Sequence, residues 1–238
     1  MIAKEVVNAL KLVATEERRK VNEWFFKTGK GEYGYGDIFL GVTVPELRRI
    51  AKKFSQEISL QELTELIRSP IHEVRLCALI ILVDKYNKEE PDRIYHYYLK
   101  HLNSVNNWDL VDTSAPHIVG DYLYNNSEKS KILLEFSHSE NIWFRRISIV
   151  STLAFIKNNE FNKILEIAKL LLNDDHDLIH KAVGWVLREI YKRDERIIKR
   201  FLRQNYAEIP RTTLRYAIER MDKEERLLYL KGNFDVSH

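Results

Sequence analysis

The sequence predicts an all-α chain, an α-solenoid of about six helical pairs, on three observations. Apolar residues recur at helical rather than alternating spacing almost throughout its 238 residues. Five prolines and eight glycines are too few for a loop-rich all-β protein or a disordered chain. A polar or charged residue that opens an aliphatic run returns at a nearly constant interval, which marks a repeat array. With 45% hydrophobic and 31% charged residues, the chain can bury a substantial core and reads as one repeat domain over 1–238.

Taken in order, residues Ile2 to Lys27 read as one or two amphipathic helices. The stretch Thr28 to Asp37 holds four of the eight glycines and is a loop. It lacks the Gly-Lys-Ser/Thr pattern of a phosphate cradle and reads as a connection rather than as a DNA contact through Tyr33 or Tyr35. A helix start follows at Thr43, a candidate N-cap with Glu46 three residues on and Pro45 in the first turn. Similar starts stand at Ser59 with Glu62, at Ser69-Pro70 and at Asp174 or Asp175, and the tail Lys231 to His238 reads as frayed.

The repeat is carried by Arg75 with Ala78, Asp112 with Ala115, Arg146 with Ile149, Lys181 with Gly184 and Arg215 with Ile218. Their first members lie 37, 34, 35 and 34 residues apart, and Arg48 with Ala51 is a degenerate earlier member 27 residues upstream of Arg75. Two helices per period of this length make an α-solenoid whose second helices line a concave face. A row of cations there suits a phosphate backbone, but the same residues also suit helix capping and local ion pairs, and periodicity leaves the two readings open. Asp112 is the exception in the row, a carboxylate among cations, and such exceptions point to chemistry.

Bulk charge adds little. A net charge of +3 from 38 basic and 35 acidic residues permits a nucleic-acid partner without indicating one. The single cysteine, Cys77, lies in an aliphatic run and reads as a buried hydrophobe, which fits a reducing cytoplasm, as does the lack of a signal peptide or a long uncharged apolar run. His176 and His180 stand alone, so no metal site is predicted, and no serine nucleophile motif is present.

Around Asp112, Trp108 stands four residues earlier and so shares its helix face. Three of the four tryptophans (Trp108, Trp143 and Trp185) fall in three consecutive repeats, with Trp143 read as core. The segments Trp108-Asp-x-Val-Asp112, Asn141-Ile-Trp-x-x-Arg146 and Lys181-Ala-x-Gly-Trp-Val-Leu-Arg-Glu189, in that order and at repeat spacing, resemble the AlkD-type DNA glycosylases. Leu40 to Arg48 is similar to that family too. The likeness runs from about Phe39 to Arg220, leaving 1–38 as variable N-terminal helices and loop, 39–220 as the repeat core and 221–238 as a C-terminal end.

The resemblance implies a HEAT-like repeat protein that excises N3- and N7-alkylated purines from double-stranded DNA with no metal or cofactor. Carried over by motif, Asp112 is the catalytic carboxylate, Trp108 and Trp185 wall the cleft, and Arg146 holds the phosphate backbone. Lys181, Arg188, Arg215, Thr43 and Arg48 complete the expected DNA contacts. A monomer is expected, cytoplasmic and nucleoid-associated when bound to DNA, with no membrane partner. The first 40 residues depart from the family pattern, because the glycine-rich loop is longer and no tyrosine matches at the N-terminal wall of the cleft. Two other readings share the scaffold: a non-catalytic binder of branched or distorted DNA, and a solenoid that takes a partner helix or peptide in its groove.

Overall fold

A computed structural model describes residues 1–233, and these are helical, with no strand among them beyond a single bridge between Ile38 and Ile71. Two compact units divide the chain, Met1–Ile118 and Val119 onward.

The first unit holds α1 (Ile2–Val13), α2 (Glu16–Phe25), α3 (Val44–Phe54), α4 (Leu60–Ile67), α5 (His72–Tyr86), α6 (Pro91–Lys100) and α7 (Trp108–Ala115). Residues 2–27 thus form two helices, and Thr15 caps the second through its side chain. The expected capping box at Ser59 and Glu62 forms in full. Thr43 does precede α3, but its hydroxyl caps nothing and Glu46 pairs with Arg49. At Ser69-Pro70 the helix starts later, at His72, while Ser69 Oγ accepts from the Ile71 amide. Within this unit α3 packs on α5 and α5 on α7, so α5 lies between two neighbours and is buried almost all round.

The second unit holds α8 (Asp121–Asn125), α9 (Lys131–Ser137), α10 (Ile142–Ser151), α11 (Leu153–Ile156), α12 (Asn162–Leu170), α13 (Asp177–Tyr191), α14 (Glu195–Asn205), α15 (Arg211–Ala217) and α16 (Lys223–Lys231). Here α10 packs on α13 and α13 on α15. Gly184 permits the second contact, since a Cβ there would lie 2.5 Å from Tyr216 Cβ and 2.6 Å from the Thr213 carbonyl oxygen. The expected start at Asp174 or Asp175 falls at Asp177 instead, because Asp174 is turned inward to the Arg145 guanidinium at 2.5 Å. Lys231 closes α16 rather than fraying, and Gly232 follows as a left-handed cap with φ 75°. Residues 234–238 of the expected tail lie outside the described residues.

The six members of the repeat row fall on α3, α5, α7, α10, α13 and α15. Their partners three residues on (Ala51, Ala78, Ala115, Ile149, Gly184 and Ile218) are all buried, so the period marks the stacking face of each second helix. The charged members are not alike, however. Arg48 and Arg215 are exposed and Lys181 is half-buried, whereas Arg75 and Arg146 are buried. Arg75 bonds Asp37 at 2.6 Å and the Ser69 carbonyl at 2.9 Å, so at that position the local ion-pair reading holds and the row of phosphate contacts is broken. Cys77 is buried as expected, and burial pushes its thiol up to about 12. No helix among the described residues is long and apolar enough to cross a membrane.

Candidate active site

The site is a cleft of about 370 Å³ in the first unit, formed where α2, α3, α5 and α7 converge. α7 begins with Asn107 accepting from the Trp108 amide, and the helix carries Trp108, Asp109 and Asp112 in its first two turns. Trp108 and Asp112, four residues apart, are both half-buried and both line the cleft. After Ala115 the ladder cannot continue normally because Pro116 has no amide hydrogen, and the chain widens into a π-helical turn over Pro116–Gly120. That turn places the exposed His117 on the cleft wall.

The opposite wall comes from the N-terminal helices. Phe26 stacks on Trp108, centroids 5.3 Å apart and 18° from parallel, and Phe25 meets the same indole edge-on at 5.7 Å. Phe26 also stacks on Phe39, and both rings lie against the His72 imidazole. Phe25 is 53% exposed and lines the opening with Arg18 and Arg48. No tyrosine fills this wall; two consecutive phenylalanines do, and neither stands out in the sequence because both lie at the end of an otherwise polar helix.

Beneath the aromatic floor runs a buried polar network. His72 places Nδ1 3.1 Å from Asp37 and Nε2 2.8 Å from Asp109, whose second oxygen accepts from the Leu110 amide at 2.8 Å. Asp37 also accepts from Arg75 and, at 3.2 Å, from Asn107. Burial alone would raise the Asp37 carboxyl, but His72, Arg75 and Asn107 outweigh it and hold the carboxyl below its ordinary value. Burial alone would likewise lower His72, yet Asp109 and Asp37 outweigh it and lift the imidazole to about 9. The neighbouring Glu73 accepts from the amides of Leu40, Gly41 and Val42 and from Asn22, tying the segment after the glycine-rich loop to α5. The loop predicted as a simple connection therefore ends in an anchored residue, Asp37.

The second unit gathers Lys181, Trp185 and Arg188 on one stripe of α13, at i, i+4 and i+7, all half-buried. Lys181 pairs with Asp177 at 2.7 Å, and Arg188 pairs with Glu219. Arg215 is exposed on α15. Arg146 is only 5% exposed and donates from Nη1 to the Leu178 carbonyl at 2.6 Å. Trp143, 7% exposed, is core as expected. Thr43 is exposed beside Val44, a cleft-lining residue. So the first unit brings Asp112, Trp108 and Arg48 into one cleft, and the second unit holds the remaining cations and Trp185. A larger recess of about 690 Å³ in the second unit, lined by Ser130, Lys163 and Arg200 among others, contains none of the predicted residues. Among the described residues no three His, Cys, Asp or Glu side chains form a group able to hold a metal ion.

A comparison with curated proteins finds no match. A solved structure described as a predicted DNA alkylation repair enzyme from Enterococcus faecalis matches with a TM-score of 0.72 at 16% identity, covering 88% of this chain and 97% of that one. At that identity the match shows a shared all-α fold. The family model for the DNA alkylation repair enzymes matches residues 6–221, nearly the whole chain. This protein belongs to the DNA alkylation repair enzyme family.

Proposed function

We propose that the protein hydrolyses the N-glycosidic bond of cationic N3- and N7-alkylated purines in duplex DNA. Family membership makes DNA the partner. The observation that carries the finer reading is the arrangement of Trp108 and Asp112 one turn apart on α7, both opening into a cleft whose far wall is Phe25 and Phe26.

The chemistry follows from that pair. An N3- or N7-alkylated purine bears a positive charge, so the C1′–N bond breaks with its electron pair passing to a base that leaves neutral. The sugar is left oxocarbenium-like, as in glycoside hydrolysis. The Asp112 carboxylate stabilises that charge and orients the water that attacks C1′, the water's proton passing to the carboxylate or to solvent. Fixed charge of this kind contributes on the order of 3 kcal/mol to the transition state. The indole face of Trp108 attracts the cationic sugar and base by roughly 0.5 to 2 kcal/mol. No strong general acid is required, because the leaving base needs no proton.

Exposed Arg48, Arg215 and half-buried Lys181 are the proposed phosphate contacts, with Arg188 and Thr43 as further candidates. The burial of Arg146 and its bond to Leu178 favour a bracing role over a direct one. Trp185 is proposed as an aromatic contact to the DNA. The test is base release from a duplex carrying one 7-methylguanine, compared with Asp112→Asn and an enzyme-free control. Binding without release by the unmodified protein would sink the hydrolytic reading.

A further inference from the structure

The buried network under the cleft does more than hold the fold. His72 is 1% exposed and sits between two carboxylates from different parts of the chain, Asp37 at the end of the glycine-rich loop and Asp109 in the first turn of α7. An ionised carboxylate only accepts hydrogen bonds, and a neutral imidazole has a single N–H to give. Both contacts are satisfied together only by the imidazolium, which donates from each ring nitrogen. The charged groups facing His72 are Asp37 from the loop, Asp109 from α7, and Arg75 beside them on α5, while Phe26 and Phe39 present uncharged rings. Two cations (His72 and Arg75) then balance two anions (Asp37 and Asp109). Removal of one proton leaves a buried net charge of −1 and a carboxylate facing a ring lone pair.

The position of α7 depends on this arrangement. Asn107 and Asp109 bracket Trp108, and their side chains reach Asp37 and His72 respectively, so two bonds from the network fix the helix turn that carries the indole. Asp112 follows one turn later on the same helix. We infer that His72 is a positioning residue, whose imidazolium clamps the first turn of α7 to the Asp37 loop and thereby sets the Trp108–Asp112 pair, giving the site an upper pH limit. This deepens the proposed glycosylase reading and rests on it for its kinetic arm.

Asp109→Asn separates a clamp from a mere fold element. An asparagine amide donates, so a neutral His72 would accept at Nε2 and still donate from Nδ1 to Asp37. The link would then survive loss of the proton. The experiment measures single-turnover release of 3-methyladenine between pH 6 and 10 for the unmodified protein and for Asp109→Asn, each relative to its own rate at pH 7 and corrected for spontaneous loss. The same substrate serves both proteins, so ionisation of the methylated base cancels. A tenfold or greater alkaline fall in the unmodified protein, absent in Asp109→Asn, supports the clamp, and the same fall in both overturns it.

A second arm needs no activity. In nitrogen-labelled protein without DNA, the Trp108 indole resonance should move through the same midpoint as the His72 ring and stay fixed in Asp109→Asn. A Trp108 resonance that ignores the His72 titration overturns the inference. If no base is released at any pH, the proposed function fails while the resonance arm still decides the role of His72.

Discussion

Phe26 lies flat against Trp108 at 5.3 Å, and through that contact the second helix of the chain forms one wall of a cleft whose carboxylate sits on the seventh. Phe26 is buried, whereas its neighbour Phe25 leaves half its surface exposed at the mouth. The two should therefore separate packing from contact. Phe26→Ala is expected to cost about 3 kcal/mol or more of stability by urea unfolding. Phe25→Ala should cost under about 1 kcal/mol and yet lower base release, because it removes little core and an exposed ring at the mouth of the proposed site.

Glu73 is the hinge of the N-terminal segment's attachment. It is buried and accepts from three consecutive amides and from Asn22. Glu73→Ala strands those donors without water and should destabilise by about 3 kcal/mol. Faster amide exchange at Leu40, Gly41 and Val42 should accompany the loss. Unchanged exchange there would show that the loop is held by other contacts.

The His72 titration has a definite sign for stability. Its folded value of about 9 lies above the ordinary histidine value of 6.5, so its contribution is fully present below about pH 6.5 and is lost as pH rises through about 9. Denaturation midpoints at pH 6.5 and 9.5 should differ more for the unmodified protein than for His72→Gln. Equal differences would place the alkaline sensitivity elsewhere.

The exposed Arg215 and the half-buried Lys181 should govern binding rather than chemistry. Lys181→Glu and Arg215→Glu are expected to weaken duplex affinity and to make it less salt-dependent. The log–log slope should fall by about one for each phosphate that is no longer neutralised. The single-turnover release rate at saturating protein should change little. A slower rate at unchanged affinity would mean that these residues act at the reacting sugar.

The repeat, the helical class and the Trp108–Asp112 pair are legible in the sequence because they obey local rules: periodicity, and two side chains four apart on one helix. The burial of Arg75 is not, since its partner Asp37 lies 38 residues away in a loop that spacing reads as a connection. The same long-range pairing hides His72, which joins residues 35 and 37 positions distant and stands in a run that reads as plain helix. Helix starts fall at His72 and Asp177, later than spacing predicts, because Ser69 and Asp174, good caps by type, are engaged elsewhere. The phenylalanine wall is hidden for a different reason. Its two residues gain meaning only when α2 is laid against α7.

The most direct test is the rate of 7-methylguanine release under single-turnover conditions for the unmodified protein and for Asp112→Asn, with duplex affinity measured alongside. The account predicts a fall of about 100-fold or more in release for Asp112→Asn, with affinity within a few-fold of the original. Release that continues at the original rate without the carboxylate would contradict it.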